Sequence, residues 1–525
     1  MKDEMNVVLR TLAIAFLTVR ALGAQVSVTT QAYDNNRSGA NVAETILTPQ
    51  NVNQAQFGKI FSSTTDASIY AQPLIVPRLM IDGALHDVAF VATMNDSVYA
   101  FDANVGTPLW HSSLGSPGLF AYSGGTFTPG ILSTPVIDPS TGTIYAVACE
   151  RASEANSYQL HALDILTGVE KFGGPVQITA TGFDPNQQLQ RPALALTGGN
   201  VFVSFGSFGD LGSWSGWIMA YSTSLVSAGR FNASPSANGG GIWMGGGGPV
   251  VDSTGNLVFT TGNGPADGVT TFGDSFLKLS PSLSVVDWFT PANNPFLNLN
   301  DVDLGSSHPV AFGSFIVGGG KEGTVYFLNE GNLGHETAGD AGALQTFGVG
   351  SGIYSAPVFF NNTLYVSTGT IKAFAFNGSL FTTTPSSESA AWPASSYGPS
   401  LFASGNGTVD GILWAAGPSA TNNFGGGLGV LTAYNASNLA QVLWTSDQNA
   451  GRDALGFWSM WSPPVVANGK LYAGTLQNTI AGAPAALVAY GPISTTGTGP
   501  SAQFEGPRSP PSEAGKASIA TSSPW

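Results

Sequence analysis

The sequence predicts an all-β fold: an eight-bladed β-propeller of four-stranded antiparallel blades, closed by the N-terminal strand completing the last blade. Three observations carry that reading. A repeat opens on a proline, at Pro73, Pro135, Pro192, Pro249, Pro309, Pro357, Pro399 and Pro463, and each proline leads into short apolar runs separated by turns. Glycine accounts for 68 of 525 residues, beside 32 prolines and 11% aromatics with no collagen-like period, as many short strands joined by tight turns require. The two ends are also unequal. The last unit stops at Gly491 without a fourth strand, whereas Phe57-Gly-Lys-Ile-Phe61 precedes the first proline and belongs to no unit. Pairing those ends closes a ring and removes exposed sheet edges. A β-sandwich array accounts for the short strands but not for the divided unit.

Within each unit the proline-led run is the innermost strand, since a residue without an N–H is tolerated at the start of an edge strand. Second strands are rich in β-branched and aromatic residues, as in Val88-Ala-Phe-Val-Ala92, Thr143-Ile-Tyr-Ala-Val147, Thr363-Leu-Tyr-Val-Ser367 and Lys470-Leu-Tyr-Ala-Gly474. Third strands end in a small or aromatic residue followed by Asp or Asn, as in Val98-Tyr-Ala-Phe-Asp102, Leu160-His-Ala-Leu-Asp164 and Leu431-Thr-Ala-Tyr-Asn435. A Gly or Ser turn then leads to an aromatic on the fourth strand: Gly106 to Trp110, Gly168 to Phe172, Ser284 to Trp288, and, across longer loops, Phe231, Phe347 and Trp444.

Outside the repeat, Lys2 and Arg10, the apolar run 11–19 and the small-residue stretch 21–24 predict a cleaved secretory signal over 1–24, hence a secreted or periplasmic protein. Residues 25–56 are a lead-in, 57–491 the propeller, and 492–525 a Ser/Pro/Gly-rich tail expected to be disordered. No later segment approaches eighteen continuous apolar residues, so no membrane span is expected.

Composition excludes several function classes. With 17 Lys and Arg against 32 Asp and Glu, a net charge of −15 leaves no basic footprint for nucleic acid or an anionic membrane. Cys149 stands alone, which excludes an internal disulfide and a cysteine zinc site, and the five His include no pair at ligand spacing. Neither a P-loop nor a G-x-S-x-G elbow occurs. Gly318 to Gly323 fits G-x-G-x-x-G, but a strand follows it where a dinucleotide site needs a helix.

In an antiparallel blade, the segment leading into the innermost strand and the loop joining the second strand to the third share one face. Tyr70, Trp243, Tyr354, Tyr397 and Trp461, with Phe127 and Trp458 nearby, precede the innermost strands and predict an aromatic-lined axial funnel. The loops add Asp210, Asn263 and Lys321, and the lead into the fifth innermost strand adds Asp301 and Asp303. A flat ring, an amide oxygen, carboxylates and an ammonium suit a planar anionic cofactor, with oxygens left over for a hard cation.

At these residues the chain resembles the quinoprotein alcohol dehydrogenase-like propellers, built on the pyrroloquinoline quinone-like repeat. The resemblance covers 57–491, and Ala100-Phe-Asp102 through Gly106 to Trp110 is similar to their blade-locking tryptophan motif. Its specific part comprises Gly241-Ile-Trp243, Thr261-Gly-Asn263, Asn300-Asp-Val-Asp303 and Lys321-Glu-Gly323. The resemblance implies oxidation of an alcohol or sugar with pyrroloquinoline quinone and calcium. Asp301 would be the catalytic base; Trp243, Asn263, Lys321 and Asp303 would bind the cofactor; Asn263, Asp301 and Asp210 would hold the metal. No haem motif C-x-x-C-H is present, which implies an external electron acceptor. The chain departs from the family pattern in having no adjacent cysteines, no match to the calcium-binding Glu, and Asn300 where the family has an aromatic. The alternative is a cofactor-free propeller scaffold that binds a glycan, peptide or protein partner through the funnel.

Overall fold

The computed structural model describes residues 25–493, except 123–124, 153, 237, 394–396, 421–426 and 459. The predicted signal and nearly all of the predicted tail lie outside the described residues.

The described chain is all-β and contains several four-stranded antiparallel sheets in the manner of a β-propeller; in the third sheet Gln188–Leu189 is a fifth strand, and the last sheets are joined into one of ten strands in which Ala40–Asn41 pairs parallel to Ser400–Asn406. The first sheet orders Leu74–Ile81, Ala84–Ala92, Ser97–Asp102 and Pro108–Ser113 from inside to outside. The three sheets that carry the site follow the same order. They are Ala195–Thr197, Asn200–Ser207, Trp217–Ser222 and Ser227–Asn232; Val250–Val251, Leu257–Thr260, Phe276–Leu279 and Val285–Phe289; and Val310–Phe312, Phe315–Gly319, Thr324–Asn329 and Gln345–Gly348. Near the end of the chain, Val465–Ala467, Lys470–Leu476 and Ala486–Pro492 take their fourth strand from Phe57–Thr64, which runs antiparallel to Ala486–Pro492 from Phe57 opposite Pro492 to Thr64 opposite Ala486.

One fourth strand differs from expectation. In the second sheet the outer strand is Val176–Gln177, not the stretch from Gly168 to Phe172, which makes only an isolated bridge between Leu163 and Glu170. The Glu170 side chain explains the difference: Oε1 accepts the Ala162 amide at 2.9 Å and Oε2 meets His161 Nδ1 at 3.0 Å, so a carboxylate stands where a strand would continue the ladder.

The core lies between adjacent sheets, as in the cluster that packs Tyr145, Val147, Tyr158 and Leu160 against Val201, Val203, Phe205 and Met219. Two polar contacts recur at these seams. A second-strand tyrosine donates its hydroxyl to the turn after the next sheet's third strand: Tyr145 to Thr223 O at 2.7 Å, Tyr365 to Ala436 O at 2.8 Å and Tyr472 to Ala103 O at 2.9 Å. An outer-strand aromatic with a serine two residues on covers a turn glycine. Trp110 and Ser112 cover Gly168, where a Cβ would lie 2.6 Å from the indole, and Phe61 and Ser63 cover Gly106 in the same way at 2.5 Å. Both glycines have φ near +70° to +76°, so the turn needs glycine for its backbone as well as for the close approach. Phe57–Thr64 therefore meets the first sheet as Pro108–Ser113 meets the second.

The lead-in, which the sequence reading leaves without a role, spans the axis. Innermost strands offer unpaired amides to the axis, and buried amides need acceptors. Ile75 N bonds Val28 O (2.9 Å), Ile137 N bonds Thr29 O (2.8 Å), Val251 N bonds Asn35 O (2.8 Å), Ala311 N bonds Asn36 O (2.9 Å), Phe359 N bonds Ser38 O (3.0 Å) and Ala403 N bonds Gly39 O (2.8 Å). Val466 N donates to the Tyr33 hydroxyl at 2.7 Å. At the centre Arg37, fully buried, donates to Pro249 O, Leu194 O, Gln31 O and Thr30 Oγ1. No helix among the described residues is long and apolar enough to cross a membrane.

Candidate functional site

On the axis a cavity of about 350 Å³ is lined by Arg191, Asp210, Trp243, Asp301, Asp303, Lys321, Tyr354, Tyr397 and Trp461, with Ser207, Gly209, Gly245 and Ser306 between them. Its volume lies in the range of small-molecule sites, roughly 300 to 1,000 Å³.

One wall is the Trp243 indole. Its Nε1 donates to Ser207 O at 3.3 Å, and a Cβ on Gly206, Gly241 or Gly262 would come within 2.5 Å of the ring or closer. Glycines at 206, 241 and 262, from three separate segments, let a ring this size lie against the backbone. Tyr354 and Tyr397 meet edge to face at 4.5 Å, and Tyr397 lies 6.4 Å from Trp461. The Arg191 guanidinium sits 3.3 Å above the Trp461 ring, a cation–π contact. Burial pulls Arg191 down to about 9. Of the other nominated aromatics, Tyr70 and Phe127 pack against the core between the second and third sheets, and Trp458 is buried in the core of the last sheets.

The polar wall comes from three loops. Asn263, between Leu257–Thr260 and Phe276–Leu279, donates its amide nitrogen to Asp303 Oδ1 at 2.7 Å and its Nδ2 to Asp301 Oδ1 at 2.8 Å. Asp301 and Asp303 follow the short helix Asn294–Leu299, which ends as the chain turns back to lead into Val310–Phe312. Lys321, between Phe315–Gly319 and Thr324–Asn329, reaches across to both: its Nζ donates to Asp301 Oδ1 at 3.0 Å, to Asp301 O at 3.2 Å and to Asp303 Oδ2. Burial alone would lower the ammonium, but Asp303 and then Asp301 outweigh it and hold Lys321 above its ordinary range. Asp210 is bonded to the Ser207 hydroxyl, and burial, with the charges of Asp303 and Asp301, raises it. Asp210, Met244, Asp301 and Trp461 all have positive φ (49° to 68°), a conformation costly for bulky side chains and concentrated at functional sites.

Trp243, Asp301, Asp303, Lys321 and Asp210 thus line one cavity, and Asn263 braces it from behind. Two contributors escape the sequence reading. Arg191 directly precedes Pro192, in the register that nominated the aromatics, but its charge set it apart from them. Asp274 lies below the floor, where its backbone N–H donates to Gly262 O and its Oδ1 accepts the Leu304 amide at 2.9 Å, tying the Asn263 loop to the Asp303 loop. Its Oδ2 is buried without a partner, and burial pushes it up to about 8.

The donor chemistry answers differently for the two expected groups. An indole face and the Arg191 guanidinium around a cavity of this size fit a planar anionic ring, whereas the Lys321 ammonium is already engaged by Asp301 and Asp303. A hard cation does not fit the residues as arranged. Among the described residues no three His, Cys, Asp or Glu side chains converge as a metal site. Asn263 turns its nitrogen toward Asp301, its Oδ1 lies buried without a partner, and an ammonium stands between the two carboxylates.

No protein-family model and no curated protein matches the chain. Solved structures do. A quinohemoprotein alcohol dehydrogenase from Pseudomonas putida aligns at a TM-score of 0.61 and 13% identity over 92% of this chain and 82% of its own. One from Comamonas testosteroni aligns at 0.57 and 14%, covering 92% and 83%. A europium-containing methanol dehydrogenase aligns at 0.54 and 12%, covering 89% and 98%. At these identities the likeness is one of fold, and it agrees with the resemblance read from the repeat.

Proposed function

We propose that residues 57–491 form an eight-bladed propeller closed by Phe57–Thr64, exported by the signal over 1–24 and followed by a tail from 492. We propose further that its axial cavity oxidises an alcohol or sugar with a pyrroloquinoline quinone-type cofactor and passes the electrons to an external acceptor. The observation that carries this reading is the gathering of Trp243, Asp301, Asp303, Lys321 and Arg191 around one cavity of cofactor size.

When bound, such a quinone supplies the hydride acceptor. The protein's residues do the rest. Trp243 offers a flat apolar face that fixes a ring in one plane. Arg191, which lines the same cavity over the Trp461 ring, would add a cation for the ring's acidic groups. Asp301 Oδ1 is held by Lys321 and Asn263, which leaves Oδ2 on a side chain 71% exposed to take the hydroxyl proton of a substrate. Lys321 fixes the direction of the Asp301 side chain through its bonds to Oδ1 and to the Asp301 carbonyl. No step is assigned to calcium.

Apoprotein given the quinone should show cofactor absorbance and dye-linked oxidation of an alcohol or sugar. Asp301→Asn should keep the absorbance and lose roughly a hundred- to ten-thousandfold in turnover. Saturating quinone that leaves both absorbance and thermal stability unchanged would end this reading in favour of a cofactor-free scaffold.

A further inference from the structure

Lys321 Nζ has three protons and three oxygen partners, namely Asp301 O, Asp301 Oδ1 and Asp303 Oδ2. Two of these oxygens are carboxylates that a metal in this cavity would need. Asp303 is nearly buried, and its other oxygen is taken by the Asn263 amide, so its charge has to be balanced locally. The ammonium balances it, with every proton engaged. The third nominated carboxylate, Asp210, is committed to Ser207.

We infer that Lys321 is the resident cation of this cavity, occupying the place a divalent or trivalent metal would take between Asp301 and Asp303, so that the site works without a metal. The seat follows from side-chain geometry alone, and only the metal-free working of the site rests on the proposed quinone chemistry. The same geometry yields a converse. Removing the ammonium leaves the Asp301 and Asp303 carboxylates on one wall, with the Asn263 amide behind them free to turn its partnerless oxygen toward them, an oxygen set that suits a hard cation.

Terbium tests both halves, because an indole in the cavity, Trp243, can sensitise its luminescence. Wild-type protein should give no saturable signal, Lys321→Ala should bind terbium on the order of a hundredfold more tightly, and adding Asp303→Asn to that variant should abolish the gain. A wild-type protein that binds one terbium, with the signal lost in Asp303→Asn, overturns the inference. So does a Lys321→Ala protein of unchanged circular dichroism that binds none. Should that variant not fold, the metal content of purified wild-type protein decides: one firmly held calcium or lanthanide ion refutes the inference, and a substoichiometric content supports it. Titrating quinone in chelator separates this inference from the dehydrogenase reading. Binding without metal upholds both, binding only after calcium or europium is added defeats the inference alone, and no binding under either condition defeats the dehydrogenase reading while the terbium result still decides the cation.

Discussion

Asp274 touches no cavity surface, yet it joins the loops that carry Asn263 and Asp303. Its carboxyl holds a proton to about pH 8 in the folded protein, chiefly because of burial, whereas an unfolded Asp loses it near 4. Between those values the folded state binds a proton that the unfolded state lacks. Stability therefore falls as pH rises, by at most about 1.4 kcal/mol per unit, and the loss ends above pH 8. Asp274→Asn keeps an acceptor for the Leu304 amide and cannot ionise. Its advantage over wild type in denaturant midpoint should grow from pH 5 to pH 8; a gap that does not vary with pH would refute the buried-acid account. Residues whose type alone suggests chemistry, such as Lys321 in a glycine loop or the Asp301 and Asp303 pair, were legible in the sequence. Asp274 was not, because a lone Asp after glycine reads as turn chemistry until the two loops it ties are seen in space.

The seams between sheets are regular at the level of the element. Tyr145, Tyr365 and Tyr472 stand at the same place in their second strands, which is why one pattern of apolar residues exposed the repeat. Tyr472 makes across the closing seam the bond that Tyr145 makes within the chain. Equivalent seams should respond equally. Tyr472→Phe and Tyr145→Phe should each cost about 1 kcal/mol in denaturant unfolding. If Tyr472→Phe costs nothing while Tyr145→Phe does, the closing seam is not equivalent to an internal one. Fourth strands were the least legible elements, because they carry one aromatic and little else. At Glu170 a side chain displaced the expected ladder, and at Gly456–Trp458 a short strand stitches the last two sheets together, with no counterpart in the repeat.

For the molecule as a whole, the segment around Arg37 matters more than its sequence suggests. No period marks it, because its partners are backbone amides that lie two residues after several of the opening prolines. Arg37 has four oxygen acceptors and no carboxylate among them, and burial lowers it to about 10. Arg37→Met would leave those oxygens buried without a donor, at about 1 to 3 kcal/mol for each one that finds no substitute. The expected loss is on the order of 3 kcal/mol or more in a single cooperative transition, and a loss below about 1 kcal/mol would show that the axis does not depend on it.

That axial segment also leaves the ribosome well ahead of Val466, which donates to Tyr33 and follows 433 residues later. The keystone is quarried before the arch. A nascent chain must hold it in reserve until the later stones arrive, so a stop ahead of Val466 leaves a long polypeptide in which Tyr33 has no amide to receive and Phe57–Thr64 has no strand to pair with.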